Sequence, residues 1–394
     1  MNRTTQKYFS HSYELNVEHI PTKASDRLAF RITLPGMLLG LVFIAIGVFD
    51  YLFRNNKGAN LSESELVFDE TLVAKSFLNP TFFDFVIVAI GVWTVLAVLA
   101  SYIRYRKIKF DGNEVEVINR PAVGTKYGFK EDIKNFEGVL FRVEFFQFGI
   151  FNKNRYILEL AHIDPKKNIP LYISISGKDI RKKWKKYAKT LSLPALIVTN
   201  EGVKSFDVND LNKPLIALVK EGKIDTNFDI DNELPPAIVC AKKKDKTVVK
   251  VKKFLWDEYN IISWMGIIVF GSLLCASIYN NPFSFDNIEE QMFSVFHVIL
   301  FLGLIASVIV LFRKDKIVIK KQKLIIIHKF VFFSRKKYEV DKDKIESIEV
   351  VYSPMTERDF LIITSDDKPL VFGKKLPYRS LNWVRKFLIK EIVQ

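Results

Sequence analysis

The sequence predicts a polytopic α-helical membrane protein: four transmembrane helices carrying two α+β domains, built by internal duplication. Three observations predict it. Four apolar runs reach the roughly 20 residues that a helical span needs. Lysine and arginine crowd the same side of every run. The segment that follows the second run returns, strand for strand, after the fourth. The 394-residue chain carries a net charge of +15, with 49% hydrophobic and 26% charged residues. Such a mixture requires apolar and basic residues to be segregated along the chain.

The organisation follows in order. Residues 1–32 are a polar N-terminal segment, too long and polar to open a cleavable signal peptide. Residues 33–103 form a first hairpin from the runs 34–53 (LPGMLLGLVFIAIGVFDYLF) and 83–103 (FDFVIVAIGVWTVLAVLASYI). A β-rich domain fills 104–192, and a strand-helix tail and basic linker fill 193–260. The runs 261–279 (IISWMGIIVFGSLLCASIY) and 292–312 (MFSVFHVILFLGLIASVIVLF) make a second hairpin at 261–312, and a second β-rich domain closes the chain at 313–394.

Charge orients the hairpins. SYIRYRKIKF follows the second run, AKKKDKTVVKVKKF precedes the third, and RKDKIVIKKQK follows the fourth. The first hairpin loop carries Glu63, Glu65, Asp69 and Glu70, and the second, NNPFSFDNIEEQ, has no Lys or Arg. The positive-inside rule then places both termini and the middle domain in the cytoplasm of a multi-pass bacterial inner-membrane protein.

The duplication is visible residue by residue. KIKFDGNEVEVINR (107–120) aligns without a gap to KIVIKKQKLIIIHK (316–329), each a strand, a polar turn and a strand. Further matches are 127–137 with 338–349, 155–161 with 359–364, and 171–178 with 370–374, the last pair ending on Gly-Lys in both copies. Each copy finishes on an amphipathic helix. The first has apolar positions Ile180, Trp184, Tyr187, Ala188 and Leu191; the second has Leu381, Val384, Phe387, Leu388 and Ile392, with Ser380 placed as its N-cap. The first copy alone carries a tail: LPALIVTN (193–200) reads as a strand, and 207–221 as a capped helix with Pro214 in its first turns.

Several short strands closed by one C-terminal helix describe a small meander barrel plugged by a helix. On the strand-turn-strand motifs, the Asp-x-Ile strands at 132–137 and 343–349, and the helices containing Trp184 or Trp383, the chain resembles bacterial pleckstrin-homology-like (PH-like) membrane proteins. In these, a two-helix hairpin precedes each PH-like domain. The resemblance covers most of the chain and brings no catalytic residue. It implies tandem PH-like barrels. Because some such proteins accompany secretion-system toxins, it also implies an immunity role against a membrane-directed effector.

The candidate functional residues are mostly basic. Arg181, Lys182, Lys183, Lys185, Lys186 and Lys189 lie on the first terminal helix, and Lys242, Lys243 and Lys244 open the basic run 242–253. A lysine near an anionic leaflet gains about 1 kcal/mol, so both clusters suit anionic lipid head groups or an acidic protein partner. A solvated helix face explains the first cluster equally, and a topology role explains the second. Nucleic acid is not expected, because no aromatic-basic recognition motif accompanies the charge. Gly36, Gly40 and Gly47 on the first run let backbones approach, which suits packing within the bundle and a homodimer face alike. His297, inside the fourth run, reads as a hydrogen-bonding packing residue in the lipid bilayer.

No Gly-rich phosphate loop, GxSxG or His-Glu-x-x-His occurs, and the two cysteines, Cys240 and Cys275, have no metal-ligand spacing. The expectation is therefore a non-enzymatic protein with no metal and no cofactor, binding a protein partner or anionic lipid. The alternative is a transporter or channel, or a subunit of one.

Overall fold

The computed structural model describes residues 8–58, 80–148, 151–211, 213–226, 234–252, 261–280, 288–312, 314–329, 334–353, 357–365, 369–374 and 376–393. The acidic loop with Glu63, Glu65, Asp69 and Glu70, and residues 281–287 of the second hairpin loop, lie outside them. The chain divides into two compact units, residues 6–135 and residues 136–394 together with 1–5. That boundary falls inside the expected 104–192 domain.

In the smaller unit, a two-residue strand β1 (Tyr13–Glu14) precedes β2 (Thr22–Arg27), α1 (Phe30–Gly58), α2 (Pro80–Ile103), β3 (Tyr105–Phe110), β4 (Glu114–Arg120) and β5 (Tyr127–Asp132). Strands β2 to β5 form one antiparallel sheet in sequence order. Strand β2 pairs with β3 from Thr22↔Phe110 to Arg27↔Tyr105. The helical hairpin α1–α2 is thus an insertion between two neighbouring strands, and the repeat begins upstream of its helices. The β3–β4 turn is held by Asp111, whose Oδ1 accepts from the Asn113 and Glu114 amides at 3.1 and 2.8 Å, while Gly112 takes a φ of +107°.

The larger unit opens with β6 (Phe136–Phe148), β7 (Phe151–His162), β8 (Ile169–Ser174), α3 (Ile180–Thr190), β9 (Ala195–Thr199), β10 (Gly202–Phe206) and α4 (Leu215–Lys220). It continues with β11 (Ile238–Lys243), β12 (Lys246–Val251), α5 (Ile261–Asn280), α6 (Ile288–Leu311), β13 (Lys314–Lys320), β14 (Lys323–Lys329) and β15 (Ser334–Asp341). It closes with β16 (Ile345–Ser353), β17 (Arg358–Ser365), β18 (Leu370–Phe372) and α7 (Tyr378–Val393).

Strands β8-β7-β6-β9-β10 lie side by side, with β9 joining β6 in parallel, Val139↔Ala195 to Phe141↔Ile197. The predicted tail thus extends the first copy's sheet. Its helix is shorter than expected: Pro214 sits at the N-cap, and α4 starts at Leu215 because proline lacks the amide a helix interior needs.

The second copy is assembled around one core. The sheet β11-β12-β13-β14-β15 and the sheet β16-β17-β18 share it with α7. Ile317, Ile319, Leu324 and Ile326 from the first sheet meet Ile348, Val350, Leu361 and Ile363 from the second, with Leu381, Val384, Leu388 and Ile392 of the helix. Each such side chain contributes about 1.5–3 kcal/mol on full burial. Helix α7 begins two residues before Ser380, which therefore sits buried in its first turn instead of capping it. The insertion recurs as well: β12 and β13 are antiparallel neighbours, with α5–α6 between them in sequence. The basic run at 242–253, expected to be a linker, is largely the hairpin β11–β12.

Gly177 and Gly373, the glycines of the two matched Gly-Lys pairs, both have left-handed φ, +66° and +73°. A Cβ at these places would come within 2.7 Å of the Tyr156 ring and 2.5 Å of Leu381 Cδ2, so glycine is required in both copies.

The membrane expectation is corrected. Among the described residues no helix is long and apolar enough to cross a membrane. The polytopic class with four transmembrane helices and the multi-pass inner-membrane localisation with cytoplasmic termini are withdrawn on that finding. So are the membrane and transmembrane descriptions that went with them. Among the described residues the chain is a mixed α/β protein of four sheets and seven α-helices.

The helices α1, α2, α5 and α6 still turn large apolar side chains outward, among them Leu38, Trp93 (74% exposed), Met265 and Leu302. Surface of that kind marks a contact face.

Candidate binding surface

Helix α3 shows how the fold sorts the predicted basic residues. Its buried stripe is Ile180, Arg181, Trp184, Tyr187 and Ala188: four of the apolar positions read from the sequence with an arginine added, while Leu191 lies half-buried at the C-cap. Trp184 Nε1 donates to the Val139 carbonyl at 2.7 Å, and Tyr187 Oη donates to the Leu171 carbonyl at 3.2 Å. These bonds fix which lysines face outward. Lys182, Lys186 and Lys189 are exposed. Lys183 lies 4.7 Å over the Tyr172 ring, and Lys185 Nζ donates to the Leu211 carbonyl at 3.1 Å.

Arg181 is not a surface residue. It is 4% exposed, and its Nε lies 2.6 Å from Glu346 Oε2. Its Nη1 donates to Ser347 Oγ at 3.4 Å, and Ser347 Oγ and Thr364 Oγ1 are 2.6 Å apart. Burial pushes the guanidinium pKa down from its ordinary value, and the Glu346 carboxylate opposes that shift. The residue predicted to meet a lipid or partner instead ties the first copy's terminal helix to strand β16 of the second.

More contacts join the same two copies inside this unit. Lys204 pairs with Glu349 at 2.5 Å, and Arg385 reaches the same carboxylate at 3.3 Å. Lys374 Nζ donates to Asn154 Oδ1 at 2.6 Å, and Tyr378 Oη donates to Glu201.

The second predicted cluster divides too. Lys242 lies 3.4 Å from Glu391 Oε1. The Lys243 backbone stands opposite Lys246 in the β11–β12 ladder, and its side chain lies outside the described residues. Lys244 is exposed at the hairpin turn.

Across the ladder to β13, Lys246 stands opposite Lys320 and Lys250 opposite Lys316. Like charges directly opposite on neighbouring strands repel. The β11–β12 turn and the β13–β14 turn, which carries Lys320 and Lys321, lie at the same end of the sheet because Lys246 pairs with Lys320. Among the described residues no acid pairs with Lys244, Lys246, Lys320 or Lys321, whereas neighbouring Lys323 is answered by Glu339 at 3.0 Å.

The aligned segment 107–120 of the first copy is neutral. There Lys107, Lys109 and Arg120 are balanced by Asp111, Glu114 and Glu116, with Lys109 paired to Glu116 at 2.5 Å and Lys130 to Glu114. At the aligned positions of the second copy stand Lys316, Lys320, Lys321, Lys323 and Lys329, with no acid. Lys320 and Lys321 were missed as site residues, and Lys246 was named only as part of the basic run 242–253. The signal was present in the alignment, where Asp111-Gly112-Asn113 faces Lys320-Lys321-Gln322, but it was read for strand pattern and not for charge.

The glycines serve the first hairpin itself. A Cβ at Gly40 would lie 2.9 Å from the Gly91 carbonyl oxygen, and one at Gly91 would lie 2.7 Å from the Gly40 oxygen. A Cβ at Gly36 would lie 3.1 Å from Val98 Cγ2, and Gly47 is buried on α1. In the second hairpin, His297 on α6 is completely buried, and a Cβ at Gly303 would meet the Phe270 ring at 2.8 Å.

A further buried network lies on β6 and β7. Arg142 reaches Glu144 at 2.6 Å and Glu159 at 3.1 Å, Arg155 Nε donates to Glu144 at 2.9 Å, and Asn168 donates to Glu159 at 3.1 Å. Every carboxylate there has a cationic partner, as buried charge requires, so this is a structural assembly. Cys240 and Cys275 are both free thiols.

The chain matches no family model, no curated protein and no solved structure, so the resemblance to PH-like proteins rests on its motifs alone.

Proposed function

We propose that the chain is a non-enzymatic binding protein that uses exposed lysines on its two β-rich copies to hold an anionic partner, either a protein surface or lipid head groups. The observation that carries this reading is the pair of like charges Lys246 and Lys320, placed opposite each other on neighbouring strands without an acid. Such a pair costs stability in the free protein, and an anion seated between the ammonium groups removes that cost. The exposed Lys182, Lys186 and Lys189 of α3 supply a second cationic face. In the form suggested by the resemblance, the protein partner is an effector delivered by a competing bacterium.

The test is equilibrium binding of the full chain to two anionic probes, an acidic peptide and phosphatidylserine-containing vesicles. Phosphatidylcholine vesicles serve as the control. Binding to at least one anionic probe, weakening as salt is raised, is expected. Absence of binding to both at low salt counts against the reading. For the effector form, cells lacking the gene should become sensitive to neighbouring strains, and unchanged resistance would remove that form.

A further inference from the structure

We infer that the end of the β11–β15 sheet, where the turns at 243–246 and 320–323 lie side by side, docks an extended acidic segment of another protein. The inference rests on the binding reading above and names its occupant.

Three features of the fold lead there. The first is the contrast between the copies. On one strand-turn-strand scaffold, the first copy holds the turn with Asp111 and balances Lys109 with Glu116, while the second replaces the acidic turn by Lys320 and Lys321. Folding does not demand the replacement, because the neutral sequence joins its two strands in the same register, Phe110↔Val115 against Ile319↔Leu324, although Gly112 takes a left-handed φ that Lys321 does not. The lysines are therefore an addition specific to the second copy.

The second is location. Strand β13 runs from Lys314, just after α6, to Lys320, and six residues of strand span about 20 Å. The cationic end is thus the end of the strand remote from the helical hairpin. Lys246 of β12 is remote in the same way, since it pairs with Lys320, whereas Lys250 lies beside Val251 at the opposite end. This charge is presented away from α5 and α6.

The third is the form of the cluster. Its cations are lysines, with the exposed Asp245 between Lys244 and Lys246 as the one acid in the two turns; it holds no arginine, so it lacks the planar fork that grips phosphate at two points. Its charges are spread over two turns and two neighbouring strands, about 5 Å apart across the sheet. An extended chain presents carboxylates on one side about every 7 Å, a spacing that lets successive acids meet successive ammonium groups. Among the described residues β11 is the edge strand of this sheet. An edge strand is where extended segments add to a sheet.

The experiment uses the full chain and a fluorescein-labelled peptide of alternating glutamate and serine, followed by anisotropy at low salt. Two charge-reversal variants are compared, one with K244E, K320E and K321E, the other with K182E, K186E and K189E on α3. Each is checked by circular dichroism and by its unfolding midpoint. A neutral version, K244Q with K320Q and K321Q, replaces the first if reversal unfolds the chain.

The expected result is peptide binding at least about tenfold weaker in the turn variant and within about twofold of the parent in the α3 variant. If the α3 variant loses as much as the turn variant, or more, the inference is overturned while the binding reading stands. Binding of the parent chain to phosphatidylserine vesicles but not to the peptide overturns it in favour of lipid. If the parent chain binds neither probe, both readings fail.

Discussion

The Arg181 guanidinium meets the Glu346 carboxylate at 2.6 Å with both side chains buried. The first belongs to the terminal helix of the first copy and the second to strand β16 of the other. A pair of this kind gains little over an apolar pair of the same volume, but losing one partner strands a charge away from water.

Arg181→Ala and Glu346→Ala should each lower unfolding free energy by about 3–5 kcal/mol. The double change R181M with E346L should recover most of that loss. Urea denaturation of the purified chain is the measurement. Additive losses in the double variant would show that the pair does not couple the copies.

Gly91 should tolerate no side chain. A Cβ there would lie 2.7 Å from the Gly40 carbonyl oxygen and 2.9 Å from the Ile44 amide nitrogen, and backbone atoms do not swing aside as a side-chain tip does. Gly91→Ala should destabilise the α1–α2 hairpin by about 1–3 kcal/mol, read as a lower thermal midpoint. Gly271 is a fair control, since its nearest neighbour would be Leu304 Cδ1 at 4.0 Å.

Asp359 gives a pH signature. Burial pushes its carboxyl above its ordinary value, so folding favours the neutral acid. Its contribution to stability is full below that value and is lost as pH rises through the folded pKa. Asp359→Asn should therefore raise the unfolding midpoint at neutral pH and leave it nearly unchanged in strong acid. An equal gain at both pH values would remove the carboxyl as the cause.

Lys320→Glu should have opposite effects on stability and binding. Turning Lys246↔Lys320 into an opposite-charge pair should stabilise the free chain by about 0.2–1 kcal/mol, while anisotropy with the acidic peptide should weaken. A variant that loses both stability and binding would mark Lys320 as structural.

Much of the second copy was legible in the sequence because its signals are local. Alternation marked β13, β14 and β17, a helical stripe placed Leu381, Val384 and Leu388 on the core face of α7, and Gly373 was marked by its match to Gly177. The strands β2, β11 and β12 were not assigned. Strands β2 and β12 pair with strands lying beyond a helical hairpin in sequence, and lysines in β11 and β12 masked the alternation. Arg181 was misplaced for a related reason. A basic run on a helix reads as solvated, and only an acid supplied by a distant strand makes burial of one of its members tolerable.

The sequence by itself determined the duplication, the order of strand, turn and strand in each copy, and the core-facing stripe of both terminal helices, because all of these are periodic or local. Tertiary structure alone decided that each helical hairpin interrupts a pair of neighbouring strands. It also decided that Arg181 belongs to Glu346, and that Lys246 stands against Lys320. It overturned the four-span reading as well, since among the described residues no helix has the length and apolarity to cross a membrane. The physical reason is common to the pairings: charge partners and strand neighbours are set by register between segments far apart in the chain. A linear pattern reports which residues alternate, not which ones meet.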